Sequence, residues 1–267
     1  MDLAFLKSLE ERARERHARI GIGIWRSDER LIASLRSATE YADLLLVGDP
    51  CCDCELDYIQ AEEPWEELVR LLQDGEIEGA VRGNLPAGRT MRALAAGLGV
   101  RVRRLALMDL SGWAFLLGPV GIDEGETASD RLALVTGGAE LLRGLGVAAP
   151  RASLLSGGRI EDLGRSDRVD RSLAEGELIA SLARSRGTDA RHAGILIEEC
   201  RGEDIIIAPD GVSGNLVFRT LLFLCRASSL GAPVLMERGV FVDSSRARSG
   251  FDGPVMLASA MVSLAGR

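Results

Sequence analysis

Asp204-Ile-Ile-Ile-Ala-Pro209-Asp210-Gly211-Val212-Ser213-Gly214-Asn215, followed by the apolar run Leu216 to Leu230, reads as a strand, a tight loop and the start of a helix. That order points backbone N–H groups and the positive end of a helix dipole at one spot, so it suits a phosphate or carboxylate. A strand pair is expected next, at Val234-Leu-Met236 and Val240-Phe-Val242. Its end carries Asp243-Ser244-Ser245-Arg246, with Asp252 seven residues beyond Ser245. Hydroxyls, a guanidinium and a carboxylate thus gather where a strand ends, and ligands of open α/β sheets bind outside the carboxyl ends of strands.

Working outward, the same alternation recurs. A charged amphipathic helix over residues 2 to 19 precedes a strand, Ile20-Gly-Ile-Gly-Ile-Trp25, whose Gly21-x-Gly23 lacks the third glycine of a dinucleotide fingerprint. A helix from about Asp28 to Tyr41, a strand at Leu44 to Val47, a helix opened by Pro64 and a strand at Ile77 to Val81 follow. Arg82, Arg89 and Arg92 cluster at the next strand-to-helix junction, where a guanidinium fork matches phosphate geometry. Val102 to Leu110 and Trp113 to Val120, joined by Ser111-Gly112, read as a hairpin. A helix is capped by Thr127, and a strand over Arg151 to Leu155 ends in Ser156-Gly-Gly-Arg159, a third strand end with glycine and arginine. Asp162 to Asp170 reads as polar loop, followed by a helix reaching about Arg186. The chain is therefore expected to be α/β, with a predominantly parallel sheet and helices on both faces.

Composition sets bounds. The 267 residues are enough for one large domain or two lobes, and 46% hydrophobic with 27% charged residues describes a well-packed chain. A net charge of −8 argues against a general nucleic-acid binder. No apolar run approaches the length of a membrane span, and no signal-peptide core is present, so a cytoplasmic protein is expected. Cys51, Cys52, Cys54, Cys200 and Cys225 are read as reduced thiols; Cys51-Cys52-x-Cys54 is not zinc spacing, and no bound metal is expected. His17 and His192 stand near no partner motif, which argues against a histidine-dependent triad.

Pro209-Asp210-x-x-x-Gly214-Asn215, Gly231-x-Pro233-Val234 and Ser245-Arg246 with Asp252 resemble the C-terminal half of the phosphate acetyl/butyryl transferases. Within that superfamily, Leu154-Leu-Ser-Gly-Gly-Arg159 and Asp167-Arg-Val-Asp170 look closest to the methanogenesis marker proteins named methyltransferase Mtx subunit X. The resemblance implies an isocitrate/isopropylmalate dehydrogenase-like fold of two lobes around a cleft, one built from residues 1–101 plus 240–267 and one from 102–239. It also implies a cytoplasmic homodimer acting on a small phosphate or acyl substrate, with coenzyme A as a co-substrate and no nucleic-acid or membrane partner.

Carried over residue by residue, Ser245 would stabilise an oxyanion, Arg246 would hold phosphate and Asp252 would take a proton from a thiol. Arg92, Asp210, Ser213, Gly214, Asn215, Arg82 and Arg159 are the expected phosphate or substrate contacts. Of the family's Ser-Gly-x-x-His segment and the arginine that follows it, only the arginine is matched here, as Arg92, and the Ser and His are absent. Two alternatives stand beside acyl or phosphoacyl transfer: a methyltransferase-associated subunit of methanogenesis, and a non-catalytic ligand-binding or assembly protein. Read without the family, Asp-Gly and Ser-Gly are common turn chemistry, and Asp210 could orient its loop instead of binding a ligand.

Overall fold

The computed structural model of the chain describes residues 1–49, 55–244 and 250–264. In chain order the elements are α1 (Leu3–Arg16), β1 (Arg19–Ile24), α2 (Glu29–Ala38), β2 (Asp43–Gly48), β3 (Asp57–Gln60), α3 (Pro64–Gln73), β4 (Gly79–Val81) and α4 (Ala87–Leu98). They continue as β5 (Ala106–Leu110), β6 (Trp113–Gly118), α5 (Ala128–Gly144), β7 (Arg151–Leu155), α6 (Asp167–Ser185), β8 (Asp189–Gly194) and β9 (Ile205–Ile207). The last four are α7 (Gly211–Phe223), β10 (Ser228–Pro233), β11 (Phe241–Asp243) and α8 (Asp252–Val262). The fold is α/β, and its strands pair mostly in parallel.

The chain gathers into two compact units. A central unit takes Met1–Phe5 with Arg103–Ser229, and a terminal unit takes Leu6–Val102 with the chain from Leu230 onward.

In the terminal unit the strand order is β3-β2-β1-β4-β11-β10. All neighbours run parallel except β10, which is antiparallel to β11 through Ala232↔Asp243 and Pro233↔Val242. β1 is buried on both faces, as a central parallel strand must be. Gly21 and Gly23 let covering groups approach closely: a Cβ at Gly21 would lie 2.5 Å from Ile77, and one at Gly23 would lie 2.2 Å from Leu85. That close packing, with Leu68, Leu71 and Leu72 of α3 above it, explains the glycine pair without a dinucleotide. The alternate residues Ile20, Ile22 and Ile24 turn to the other face.

The central unit orders its strands β5-β6-β9-β7-β8. β5 and β6 form the expected hairpin, and Ser111 (φ 55°) with Gly112 (φ 86°) supplies the two left-handed residues of a tight turn. β6, β9, β7 and β8 are mutually parallel, with α5 and α6 packed against each other and against these strands.

Three boundaries differ from expectation. The helix read over Leu216 to Leu230 begins at Gly211 and ends at Phe223, and residues 228–233 form β10. Asp210 starts it early by capping, and the left-handed Arg226 (φ 58°) lies beyond its end; an unbroken apolar run does not mark where helix gives way to strand. The strand expected at Val234 to Met236 is thus β10, shifted toward the N-terminus. α6 begins at Asp167, inside the expected polar loop, because Ser166 accepts a hydrogen bond from Val169 N–H.

Candidate functional site

In the central unit the carboxyl ends of four parallel strands carry Gly118-Pro119, Pro209-Asp210, Ser156-Gly157-Gly158 and Gly194. Asp210 is the N-cap of α7: its Oδ1 accepts from Ser213 N–H at 2.7 Å, and Gly214 N–H donates to the Asp210 carbonyl at 3.0 Å. These N–H groups, expected to face an anion, are therefore engaged within the helix start. Gly211 and Gly214 serve a close approach of backbone, since a Cβ would lie 1.9 Å from the Gly121 carbonyl oxygen at the first and 2.0 Å from that of Pro119 at the second. Asn215 Nδ2 donates to the Val120 carbonyl at 2.7 Å, clamping the same segment. Glu124 anchors it from below through Arg104 Nε at 2.6 Å, and burial pushes the Glu124 carboxyl up against the downward pull of that arginine. What the corner leaves for a ligand is the second oxygen of Asp210 and the Ser213 hydroxyl.

Beside Asp210 lies a cavity of about 490 Å³. One wall is α6, which presents Arg168, Arg171, Ser172 and Glu175; Arg131 of α5 and Glu126 form another. Arg131 is 3% exposed, its Nη2 donates to Glu175, and its Nε is buried with no partner among the described residues. A buried donor left unmade costs about 1–3 kcal/mol. The sequence reading missed Arg131, Arg168 and Arg171, because only the packing of α5 on α6 brings them together.

A second constellation was also missed. His192 Nε2 lies 2.8 Å from Ser156 Oγ, and its Nδ1 lies 3.8 Å from a Glu177 carboxylate oxygen. Parallel pairing of β7 with β8 sets Leu154 beside His192, so residues 36 apart in sequence meet. Burial pushes the imidazole below its ordinary range, with Glu177 pulling the other way. Ser156 is only 3% exposed, so the trio joins two strand ends and presents no nucleophile at the surface. Arg159 is exposed, with its N–H donating to Asp162 at 2.9 Å.

The terminal unit has its own carboxyl edge. Arg82, an expected phosphate contact, is 4% exposed: its Nε donates to Asp243 and its Nη1 to the Leu85 carbonyl at 2.6 Å. The fork is consumed in tying β4 to β11. Ser244 Oγ donates to the Gly83 carbonyl at 2.7 Å, strengthening the same join. Arg89 lies over the Trp65 ring at 4.7 Å, and Arg92 is exposed on α4. Asp252 opens α8, and its Oδ1 is buried with no partner among the described residues. Ser245, Arg246, Cys51, Cys52 and Cys54 lie outside the described residues. Cys200 is buried and Cys225 exposed, both unbridged, and no metal-binding cluster occurs among the described residues.

The chain is 45% identical to the "Putative methyltransferase mtx subunit X" of Methanosarcina mazei over 97% of its length and 95% of the relative's. It belongs to the Mtx subunit X family. The protein of the same name from Methanosarcina acetivorans is 44% identical with the same coverage. No sequence-family profile matches the chain. Among solved structures, a phosphotransacetylase from Streptococcus pyogenes superposes with a TM-score of 0.72 at 16% identity, covering 99% of both chains. A branched-chain phosphotransacylase from Enterococcus faecalis gives 0.72 at 17% identity, covering 92% of this chain and 99% of its own. The chain thus has the fold of these phosphotransacylases. No helix among the described residues is long and apolar enough to cross a membrane.

Proposed function

We propose that the protein is a transferase of the phosphotransacylase type, acting on a small acyl or phosphoacyl substrate with coenzyme A as the thiol. The observation that carries the reading is Asp252, a carboxylate at a strand-to-helix junction with one oxygen buried and unpartnered among the described residues. Buried polar atoms are nearly always paired, so an unpaired carboxylate oxygen at a strand end fits a group reserved for a reaction partner. In this reading Asp252 takes the thiol proton, the thiolate attacks the acyl carbonyl, and phosphate leaves. Arg246 holds the phosphate and Ser245 donates to the oxyanion, roles that rest on the sequence motif.

The test is phosphate release from acetyl and butyryl phosphate in the presence of coenzyme A. Asp252→Asn should lower the rate by about two to four orders of magnitude while leaving the fold intact. Thiol-dependent release at wild-type rate in Asp252→Asn would remove the assigned base.

The name carried by the Methanosarcina relatives favours a second reading, a subunit of a methyltransferase in methanogenesis. Methyl transfer reconstituted with purified partner subunits, and absent without this chain, would decide for it. In either case we propose a homodimer, because α7 leaves Val212, Leu216, Phe223 and the adjoining Leu224 exposed, Leu224 by 78%.

A further inference from the structure

We infer that the cavity between α5 and the first turns of α6 is a binding site for an organic phosphate monoester, with Arg168, Arg171 and Arg131 as its cationic side. The inference goes beyond the proposed function: it assigns a further ligand, distinct from the acyl phosphate given to Arg246 and from coenzyme A, and does not rest on that reading.

Arg168, Arg171, Ser172 and Glu175 fall at i, i+3, i+4 and i+7 of α6, so one helical stripe faces the cavity. Some exposed arginines of this protein are held by carboxylates, as Arg70 is by Glu67, Asp74 and Glu76, and Arg14 by Glu10 and Glu40. Others, such as Arg92, stand alone among the described residues on an open surface. Arg168 and Arg171 have no such partner among the described residues, and both line the cavity. Behind them Arg131 is buried with its Nε unmet, its fork set by Glu175. Ser172 Oγ already accepts from Gly157 N–H at 2.8 Å, which leaves its own hydrogen for an anion. Guanidinium forks and a hydroxyl at the N-terminal end of a helix are the donor set a phosphate takes.

The opposite wall selects what the phosphate is attached to. Asp210 keeps one carboxylate oxygen uncommitted to its cap, and Glu126 and Asp167 add acceptors. These carboxylates oppose a highly charged polyphosphate and favour a monoester bearing hydroxyl or amino groups. A volume of about 490 Å³ suits a nucleotide-sized molecule.

The experiment is titration calorimetry at low salt with AMP as the probe, and with adenosine and inorganic phosphate for comparison. AMP should bind, adenosine should not, and Arg168→Ala with Arg171→Ala should weaken AMP by about tenfold or more. Arg186→Ala with Arg201→Ala removes the same charge elsewhere and should leave affinity unchanged. Arg131→Lys, which keeps the charge but loses the fork, should also weaken AMP. Equal AMP affinity in wild type and the Arg168/Arg171 variant overturns the inference, as does an equal loss in the Arg186/Arg201 control. Failure of both AMP and inorganic phosphate to bind wild type below about 10 mM overturns it too. Acyl turnover enters none of these readings, so arginine-dependent AMP binding without turnover would sink the transferase reading alone.

Discussion

Arg82 shows how a residue's environment overrides its type. A guanidinium at a strand end suggested a phosphate ligand, yet its donors go to Asp243 and the Leu85 carbonyl in a dry interior. Arg82→Ala should therefore cost about 3–5 kcal/mol in a urea titration, as removal of one partner of a buried pair does. Ligand affinity should change only as far as the fold does. His192 leads to a pH effect. Its folded-state pKa lies below the ordinary 6.5 because burial disfavours the charged ring. As pH falls through that value the unfolded chain takes up the proton first, so stability declines on the acid side. His192→Gln should flatten that decline on the acid side of the ordinary imidazole range. A steeper loss in the variant would show that the ring is charged in the fold. The roles of Asp210 and Asn215 were only half legible in sequence: the turn chemistry was visible, but their partners, Ser213 N–H and the Val120 carbonyl, lie where only folding puts them.

Among the elements, α7 carries the most information. Its buried positions are the two glycines, Gly211 and Gly214, pressed against the Pro119 to Gly121 backbone, while much of its apolar surface stays exposed. Gly214→Ala should destabilise by about 2 kcal/mol or more, because the contact is backbone and cannot swing aside. Leu216→Asp with Leu224→Asp should turn a wild-type dimer into a monomer in light scattering, and a monomeric wild type would refute the role given to this helix. Hairpin β5–β6 and helix α3 were readable because a two-residue turn and an N-terminal proline are local signals. β3 was not, since its burial is slight and it gains its identity by pairing with β2.

For the whole molecule, the alternation of strands and helices sufficed to give the α/β class, while the division into units depends on contacts distant in sequence. β11 pairs with β4 in the terminal unit's sheet, and Phe241 within it is fully buried. Removing the chain from Phe241 onward should expose the terminal unit to proteolysis rather than trim an edge. The order of segments has a further consequence. A ribosome emits residues 6–102 early, but the strands and helix that complete their sheet come only after residues 103–229, the bulk of the central unit. Nascent chains should thus carry a finished middle beside an unfinished beginning, with the face of β1 and β4 that α8 covers, and the edge of β4 that β11 pairs, in need of a chaperone's shelter until the final segment arrives.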